Sequence, residues 1–138
     1  KRFNVKDGHA IVMARLVSMP VANLTARNSP IVEVRAKELK LAQVFQGRIH
    51  KGPGFEELAA ELKLQPSDLA YMGDDVNDLP ALNRCGFSGC PADAVEEVKS
   101  AVNFVSRRPG GHGAAREFIE VILKATGRWE AALEHAKK

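Results

Sequence analysis

Residues 71–80 read YMGDDVNDLP, in which an apolar segment ends at a glycine and a cluster of acids follows at once. The apolar part predicts a buried strand, and Asp74, Asp75 and Asp78 then place three carboxylates within five positions. Like charges at this spacing repel each other, and a hard divalent cation with oxygen ligands, such as magnesium, relieves that repulsion. The alternative is a turn that caps a short helix, because carboxylates are also favoured at a helix N-terminus.

On both sides of this segment, short apolar runs alternate with amphipathic stretches. The pattern predicts strands at residues 21–25, 44–46, 69–72, 87–90 and 103–106, and helices at residues 30–40, 55–64, 79–84, 92–101 and 114–124. A first helix, capped by Asp7 and ended by Pro20, precedes them, and the charged tail after Gly127 is expected to be loose. Strands that alternate with helices of this length indicate an α/β fold with a mostly parallel sheet between two helical layers, a three-layer α/β/α Rossmann-like architecture.

Polar groups follow three of the predicted strands. Thr25, Lys51 and Asp74 each lie just past a strand end, and chemistry in parallel α/β sheets collects at the carboxyl ends of the strands. We therefore expect the three to converge on one crevice, with Arg27 as a further donor to phosphate or carboxylate. Each has a simpler interpretation: the segment after Thr25 is also a capping turn, and a lysine in a loop is usually solvated.

The composition is that of an ordinary globular domain. The 138 residues fit one domain, of which 45% are hydrophobic and 27% charged. The net charge of +3 is small and spread along the chain, unlike the dense basic stripe of a nucleic-acid binder. No apolar run is long enough to span a membrane, so we expect neither nucleic acid nor a membrane as a partner. Cys85 and Cys90 form no C-x-x-C motif and are expected to be thiols in a reducing cytoplasm.

The order of these motifs resembles that of a known superfamily. A strand that ends in Thr25 with Arg27 two positions later, Lys51 after the next strand, and then Gly-Asp-Asp-x-x-Asp are similar to motifs two, three and four of the haloacid dehalogenase superfamily. Longer segments resemble the 3-deoxy-D-manno-octulosonate 8-phosphate (KDO 8-P) phosphatase family along nearly the whole chain. They are KRFNVKDG (residues 1–8), VFQG (44–47), YMGDDVNDLP (71–80), PADA (91–94) and GGHGAARE (110–117).

The resemblance implies an activity and an assembly. A cytoplasmic Mg²⁺-dependent phosphatase without a cap domain is expected, which removes phosphate from the sugar phosphate KDO 8-P through an aspartyl-phosphate intermediate in lipopolysaccharide synthesis. Members of the family are similar in forming homotetramers, in which a neighbouring subunit covers the active site. In this chain, the segment from about Gly110 onward is expected to reach toward a neighbour.

The resemblance also implies roles for individual residues. Thr25, Lys51 and Asp78 are expected to be catalytic, with Thr25 holding the transferring phosphoryl group and Lys51 offsetting its charge. Asp74 is the expected magnesium ligand, and Asp75 and Asp78 are expected to orient Asp74, Lys51 or metal-bound water. The expected substrate contacts are Asn4, Val5, Lys6, Asp7, Gly8, Arg27, Arg35 and Lys51.

The chain departs from the family in one essential motif. The superfamily's nucleophile and general acid belong to an Asp-x-Asp sequence on the first strand, and no Asp-x-Asp with a strand before it occurs here. We therefore expect residues 1–138 to be a single phosphatase domain whose native chain also carries an N-terminal strand and hairpin. The alternative is a catalytically inactive domain of this superfamily that serves in assembly with a cytidylyltransferase.

Smaller departures concern the substrate. Ala26 stands where the family usually has Gly, and Val12 and His112 stand where it often has Arg. Two fewer cations weaken the preference for an eight-carbon acid sugar and leave the phosphatase chemistry untouched. A nine-carbon ulosonic acid 9-phosphate therefore stays open as the alternative substrate.

Overall fold

Parallel strands and flanking helices alternate along the chain, of which a computed structural model describes residues 4–138. The strands are β1 Ala22–Leu24, β2 Gln43–Phe45, β3 Ala70–Met72, β4 Phe87–Cys90 and β5 Phe104–Val105. The helices are α1 Val5–Leu16, α2 Pro30–Leu39, α3 Lys51–Glu61, α4 Leu79–Leu82, α5 Glu96–Lys99, α6 Ala114–Ala125 and α7 Trp129–Ala136. Two 3-10 turns cover Pro66–Asp68 and Val76–Asp78. No helix in the described range is long and apolar enough to cross a membrane.

The strand pairs are all parallel, as predicted, but they form two sheets. β1 pairs with β2, with Asn23 opposite Val44, and β3, β4 and β5 pair in that order, with Tyr71 opposite Ser88. Within residues 4–138, β1 and β3 each keep one edge without a strand partner. Residues of both strands line one cavity of about 330 Å³, so this cavity lies between the two sheets.

The second sheet lies between two layers of helices. Phe87 of β4 stacks on Phe118 of α6, with ring centroids 5.5 Å apart. Cys90, three positions further along the strand, is buried in a cluster with Leu82 of α4 and Val98 of α5. Because successive side chains of a strand point to opposite faces, α6 lies on one face and α4 and α5 lie on the other. The predicted three-layer α/β/α architecture is confirmed.

The C-terminal tail is ordered, so the prediction of a loose tail is wrong. Residues 129–136 form α7, and Ala132 is fully buried in a cluster with Met13 of α1 and Leu123 of α6. Trp129 and Leu133 pack against the same cluster, while the charged residues of α7 face outward. The charges of this segment predicted a loose tail, whereas its narrow apolar face packs on the domain.

The helix ends follow local chemistry, with two differences from prediction. α2 begins as predicted, with the Ser29 hydroxyl accepting a hydrogen bond from Val32 N and Pro30 in the first turn. α1 is capped by Asn4 and not by Asp7, because the Asn4 side chain accepts from the backbone N–H groups of its first turn. α3 begins at Lys51, several residues before the predicted start, since its Gly-Pro-Gly sequence lies in the first turn, where proline is tolerated.

Candidate active site

Three loops that follow different strands meet at the cavity between the two sheets. Thr25 follows β1, Lys51 lies beyond β2 as the first residue of α3, and Asp74 follows β3; all three line the cavity. The structure therefore brings together the three groups that the strand-end argument expected to converge. Gly110 and Gly111 border the same cavity from the segment before α6.

Lys51 is a buried cation with two polar neighbours. Only 7% of the residue is exposed, which excludes the interpretation of a solvated surface lysine. Its Nζ lies 2.8 Å from Asp78 Oδ1 and 3.3 Å from the Tyr71 hydroxyl oxygen. A buried charge needs a partner, so the ion pair with Asp78 is what allows Lys51 to lie at the cavity wall.

Asp78 accepts four hydrogen bonds. Lys51 Nζ and the Tyr71 hydroxyl each donate to Oδ1 at 2.8 Å, and the backbone N–H groups of Asp74 and Asp75 donate to Oδ2 at 2.9 and 3.2 Å. Burial by itself would raise the pKa of Asp78, but the hydrogen bonds from Lys51, Asp74 N and Tyr71 outweigh it, and the pKa is lowered. Asp78 therefore stays ionised and holds both the lysine and the backbone that carries Asp74.

The loop that carries Asp74 depends on the absence of a side chain at Gly73. A Cβ at Gly73 would lie 2.5 Å from Asp78 Cβ, closer than real Cβ contacts permit. Glycine at this position lets the buried carboxylate approach the loop amides of Asp74 and Asp75. The Gly-Asp-Asp-x-x-Asp spacing thus follows from packing as well as from charge.

Asp74 has the environment of a cation ligand. Asp74 is exposed at the cavity, but partial desolvation of its carboxyl raises its pKa first, and the negative charges of Asp78 and Asp75 raise it further. A cation bound to the Asp74 carboxylate would relieve all three effects, and its oxygen donors suit Mg²⁺. No three side chains among the described Asp, Glu, His and Cys residues are grouped to hold a metal ion. Mg²⁺ is commonly bound by one or two carboxylates together with water and phosphate oxygens, and Asp74 fits such a site as one protein ligand.

Thr25 is held at the cavity by the end of β2 and the loop that follows it. Its N–H donates to Phe45 O and its carbonyl accepts from Arg48 N, both at 2.9 Å. Its hydroxyl accepts a hydrogen bond of 3.2 Å from Arg27 N. Arg27 itself is exposed and does not line the cavity, so the structure places only the threonine of this pair there.

The other expected substrate contacts lie away from the cavity lining. Gly8 packs against Arg35 in the α1–α2 contact, and Arg35 also pairs with Glu38 at 3.0 Å. Asn4 caps α1, and Asp7 accepts hydrogen bonds from the start of α6. Val5 and Lys6 are exposed. Asp75, which was expected to orient groups at the metal site, caps the 3-10 turn and is exposed as well.

Tyr71 and Asn23 are polar residues of the cavity that were not predicted from the sequence, and Tyr71 contacts the buried ion pair. Its side chain lies against Phe55 in an edge-to-face contact and carries its hydroxyl to Asp78. Burial, followed by the charge of Asp78, raises the pKa of Tyr71 far above its usual value, so the hydroxyl stays protonated and donates. Its position in the apolar strand, two residues before Gly73, was the available signal.

Residues 17–118 match the model of the haloacid dehalogenase-like hydrolase family, and the chain belongs to that family. Within it, this chain is similar to KDO 8-P phosphatases. The enzyme from Escherichia coli K12 is 36% identical over 132 residues, which are 96% of this chain and 70% of that protein.

Two solved structures share the fold closely. The cobalt-bound KDO 8-P phosphatase of Haemophilus influenzae has a TM-score of 0.90 and 39% identity, over 94% of this chain and 75% of that one. The enzyme of Moraxella catarrhalis, in complex with magnesium, phosphate and KDO, has a TM-score of 0.93 and 32% identity, over 98% of this chain and 78% of that one.

Proposed function

We propose that this protein is a magnesium-dependent phosphatase that hydrolyses KDO 8-P to KDO and inorganic phosphate in lipopolysaccharide synthesis. One observation carries the proposal: Thr25, Lys51 and Asp74 line a single cavity. The Moraxella catarrhalis relative, 32% identical, was solved with magnesium, phosphate and KDO together, which supports the same ligands here.

The residues at the cavity suit phosphoryl transfer. Such a reaction concentrates negative charge on three equatorial oxygens, so catalysis consists mainly of positioning and cationic stabilisation. The Thr25 hydroxyl is placed to donate to the phosphoryl group, and Lys51 offsets its charge. Asp74 would hold Mg²⁺, which when bound supplies Lewis-acid stabilisation of the phosphoryl oxygens. Asp78 orients Lys51 and the Asp74 backbone.

The nucleophile is the part of the site that the described residues do not supply. We propose that a strand carrying Asp-x-Asp pairs between β1 and β3. The unpaired edges of those two strands on either side of the cavity support it. The buried Asn23 Oδ1 on β1, which has no hydrogen-bond partner among residues 4–138, supports it too. An aspartate there would form a bond to phosphorus while the bond to the sugar oxygen breaks, a second acid would protonate that oxygen, and water would release phosphate.

The intact mass of the purified native protein tests this part of the proposal. A mass several kilodaltons above the 15.0 kDa of the 138 residues, with an Asp-x-Asp in the added segment, is the expected result. A mass equal to that of the 138 residues would contradict it and favour the inactive assembly domain.

The substrate is tested by turnover. The native protein with Mg²⁺ should release phosphate from KDO 8-P with a higher kcat/KM than from a nine-carbon ulosonic acid 9-phosphate. The reverse order would assign the nine-carbon substrate, in keeping with Val12 and the exposed His112, which replace two expected cations. Release from neither substrate would contradict the proposed function.

The assembly is proposed to be a cytoplasmic homotetramer. Four apolar side chains of the first half of the chain are more than half exposed, which favours a protein partner: Val5 (80%), Ile49 (70%), Val34 (58%) and Ile31 (55%). Cys85 and Cys90 are free thiols, as a reducing compartment permits. Light scattering on the purified protein should give four times the chain mass, and a monomer would contradict the tetramer.

A further inference from the structure

The glycine-rich segment before α6, residues 110–113, forms one wall of the cavity and is held at both ends by carboxylates. Gly110 and Gly111 line the cavity, as do Ala114 and Ala115 at the start of α6. Gly111 and Gly113 have φ values of +75° and +102°, a conformation that side chains rarely adopt. A segment with this many glycines has little rigidity of its own, so its position depends on outside contacts.

Asp7 holds the C-terminal end of this segment. Its Oδ1 accepts a hydrogen bond of 2.9 Å from Arg116 N, and its Oδ2 accepts one of 3.3 Å from Gly113 N. α6 has no side-chain cap of its own at Gly113, so a carboxylate from α1 takes the place of an N-cap residue. The charge also lies at the positive end of the α6 dipole.

Asp93 holds the N-terminal end. Its Oδ1 accepts a hydrogen bond of 2.8 Å from Gly110 N. The body of α6 cannot shift to compensate for a loose segment, because Phe118 and Leu123 are buried in the domain. The two carboxylates, which are far apart in the sequence, therefore fix one short segment between them.

We propose that Asp7 and Asp93 are paired positioning residues, which act by holding residues 110–113 against the cavity and not by touching the substrate. The inference rests on the proposed phosphatase function. It assigns Asp7 a role that the family resemblance does not imply, because each oxygen of its carboxylate accepts a backbone N–H group of this segment. The wall they hold faces the cavity of Thr25, Lys51 and Asp74, so the segment affects the phosphoryl group as well as the sugar.

The first test is hydrogen exchange, which needs no turnover. In the native protein, Asp7→Ala, which removes both acceptor oxygens, should speed exchange at the Gly113 and Arg116 amides roughly tenfold, and Asp93→Ala should do the same at Gly110, since a hydrogen bond to a charged group is worth at least that factor. Asp68→Ala is the matched control, because Asp68 accepts from Gln65 N in an exposed turn at the opposite end of β3. Unchanged exchange in both Asp7→Ala and Asp93→Ala would overturn the proposal.

The second test separates positioning from substrate contact. Asp7→Ala and Asp93→Ala are each expected to lower kcat/KM about tenfold on KDO 8-P and on p-nitrophenyl phosphate, which has no sugar. A rise in KM for the sugar phosphate alone, with normal exchange in residues 110–116, would show that Asp7 contacts the sugar and overturn the proposal. If Asp7→Ala does not fold, Asp93→Ala decides by the same two readouts. A wild-type protein inactive on both phosphates would contradict the phosphatase function, while the exchange result would still decide whether these carboxylates hold the segment.

Discussion

At the scale of single residues, one carboxylate organises the site. Asp78 is 4% exposed and accepts from Lys51, Tyr71 and the loop that carries Asp74. The sequence predicted that acids and a lysine would meet at the strand ends, because that follows from a parallel sheet. It could not predict that Asp78 faces inward or that Tyr71 reaches it, since both depend on how α3 and β3 pack together.

Substitutions that break the contacts of Asp78 should lower the free energy of unfolding. The loss should be larger when a buried charge is left without a partner than when one hydrogen bond is lost. Tyr71→Phe deletes one donor and keeps the ring, so it should cost about 1 kcal/mol of unfolding free energy. Asp78→Asn leaves the buried Lys51 without its counter-charge and should cost about 3–5 kcal/mol. Urea denaturation measures both, with the exposed Asp68→Asn as control. Equal costs for Tyr71→Phe and Asp78→Asn would contradict the central role of Asp78.

At the scale of helices and strands, the sequence predicted the ends that are set by nearby residues such as a cap or a proline. Ser29 and Pro30 predicted the start of α2, and β4 lies at the predicted residues. The start of α3 was missed because its glycines and proline disfavour a helix interior but are tolerated in a first turn. α7 was missed because its apolar face is narrow among many charges, and its contacts with α1 and α6 are not evident from residues 128–138 alone.

One contact between elements should make stability depend on pH. Glu117 of α6 accepts from the Ser106 hydroxyl and from Arg107 N and Nε, which ties the end of β5 to α6. Burial would raise the pKa of Glu117, but these hydrogen bonds outweigh it and lower the pKa from 4.5 to about 2. A carboxyl with a lowered pKa contributes stability that is present above pH 4.5 and is lost as the pH falls toward 2.

The measurement is unfolding free energy against pH for wild type and Glu117→Gln. The variant should be less stable than wild type at neutral pH, and the difference should shrink as the pH falls from about 4.5 toward 2. Glu130→Gln, on the exposed side of α7, is the matched control and should give no such difference. A difference that stays constant across this range would contradict the assignment.

At the scale of the whole molecule, two parallel sheets border a cavity that holds the site. The alternation of strands and helices predicted the layers, and the resemblance to the phosphatases predicted which groups would face each other. The division into two sheets was not predicted as such, because no local pattern reveals which strand edges lack a partner. The further strand stays a prediction, and the open edges of β1 and β3 are the ones it would join.

The most direct test of the central claim is the rate at which the native protein releases phosphate from KDO 8-P in Mg²⁺, compared with Lys51→Met and Lys37→Met. Lys37 is an exposed residue of α2 and controls for the loss of a positive charge. We predict that Lys51→Met, while folded by circular dichroism, loses activity by about 10²-fold or more and that Lys37→Met keeps it. Equal rates for the wild type and Lys51→Met would contradict a phosphatase site built on Thr25, Lys51 and Asp74.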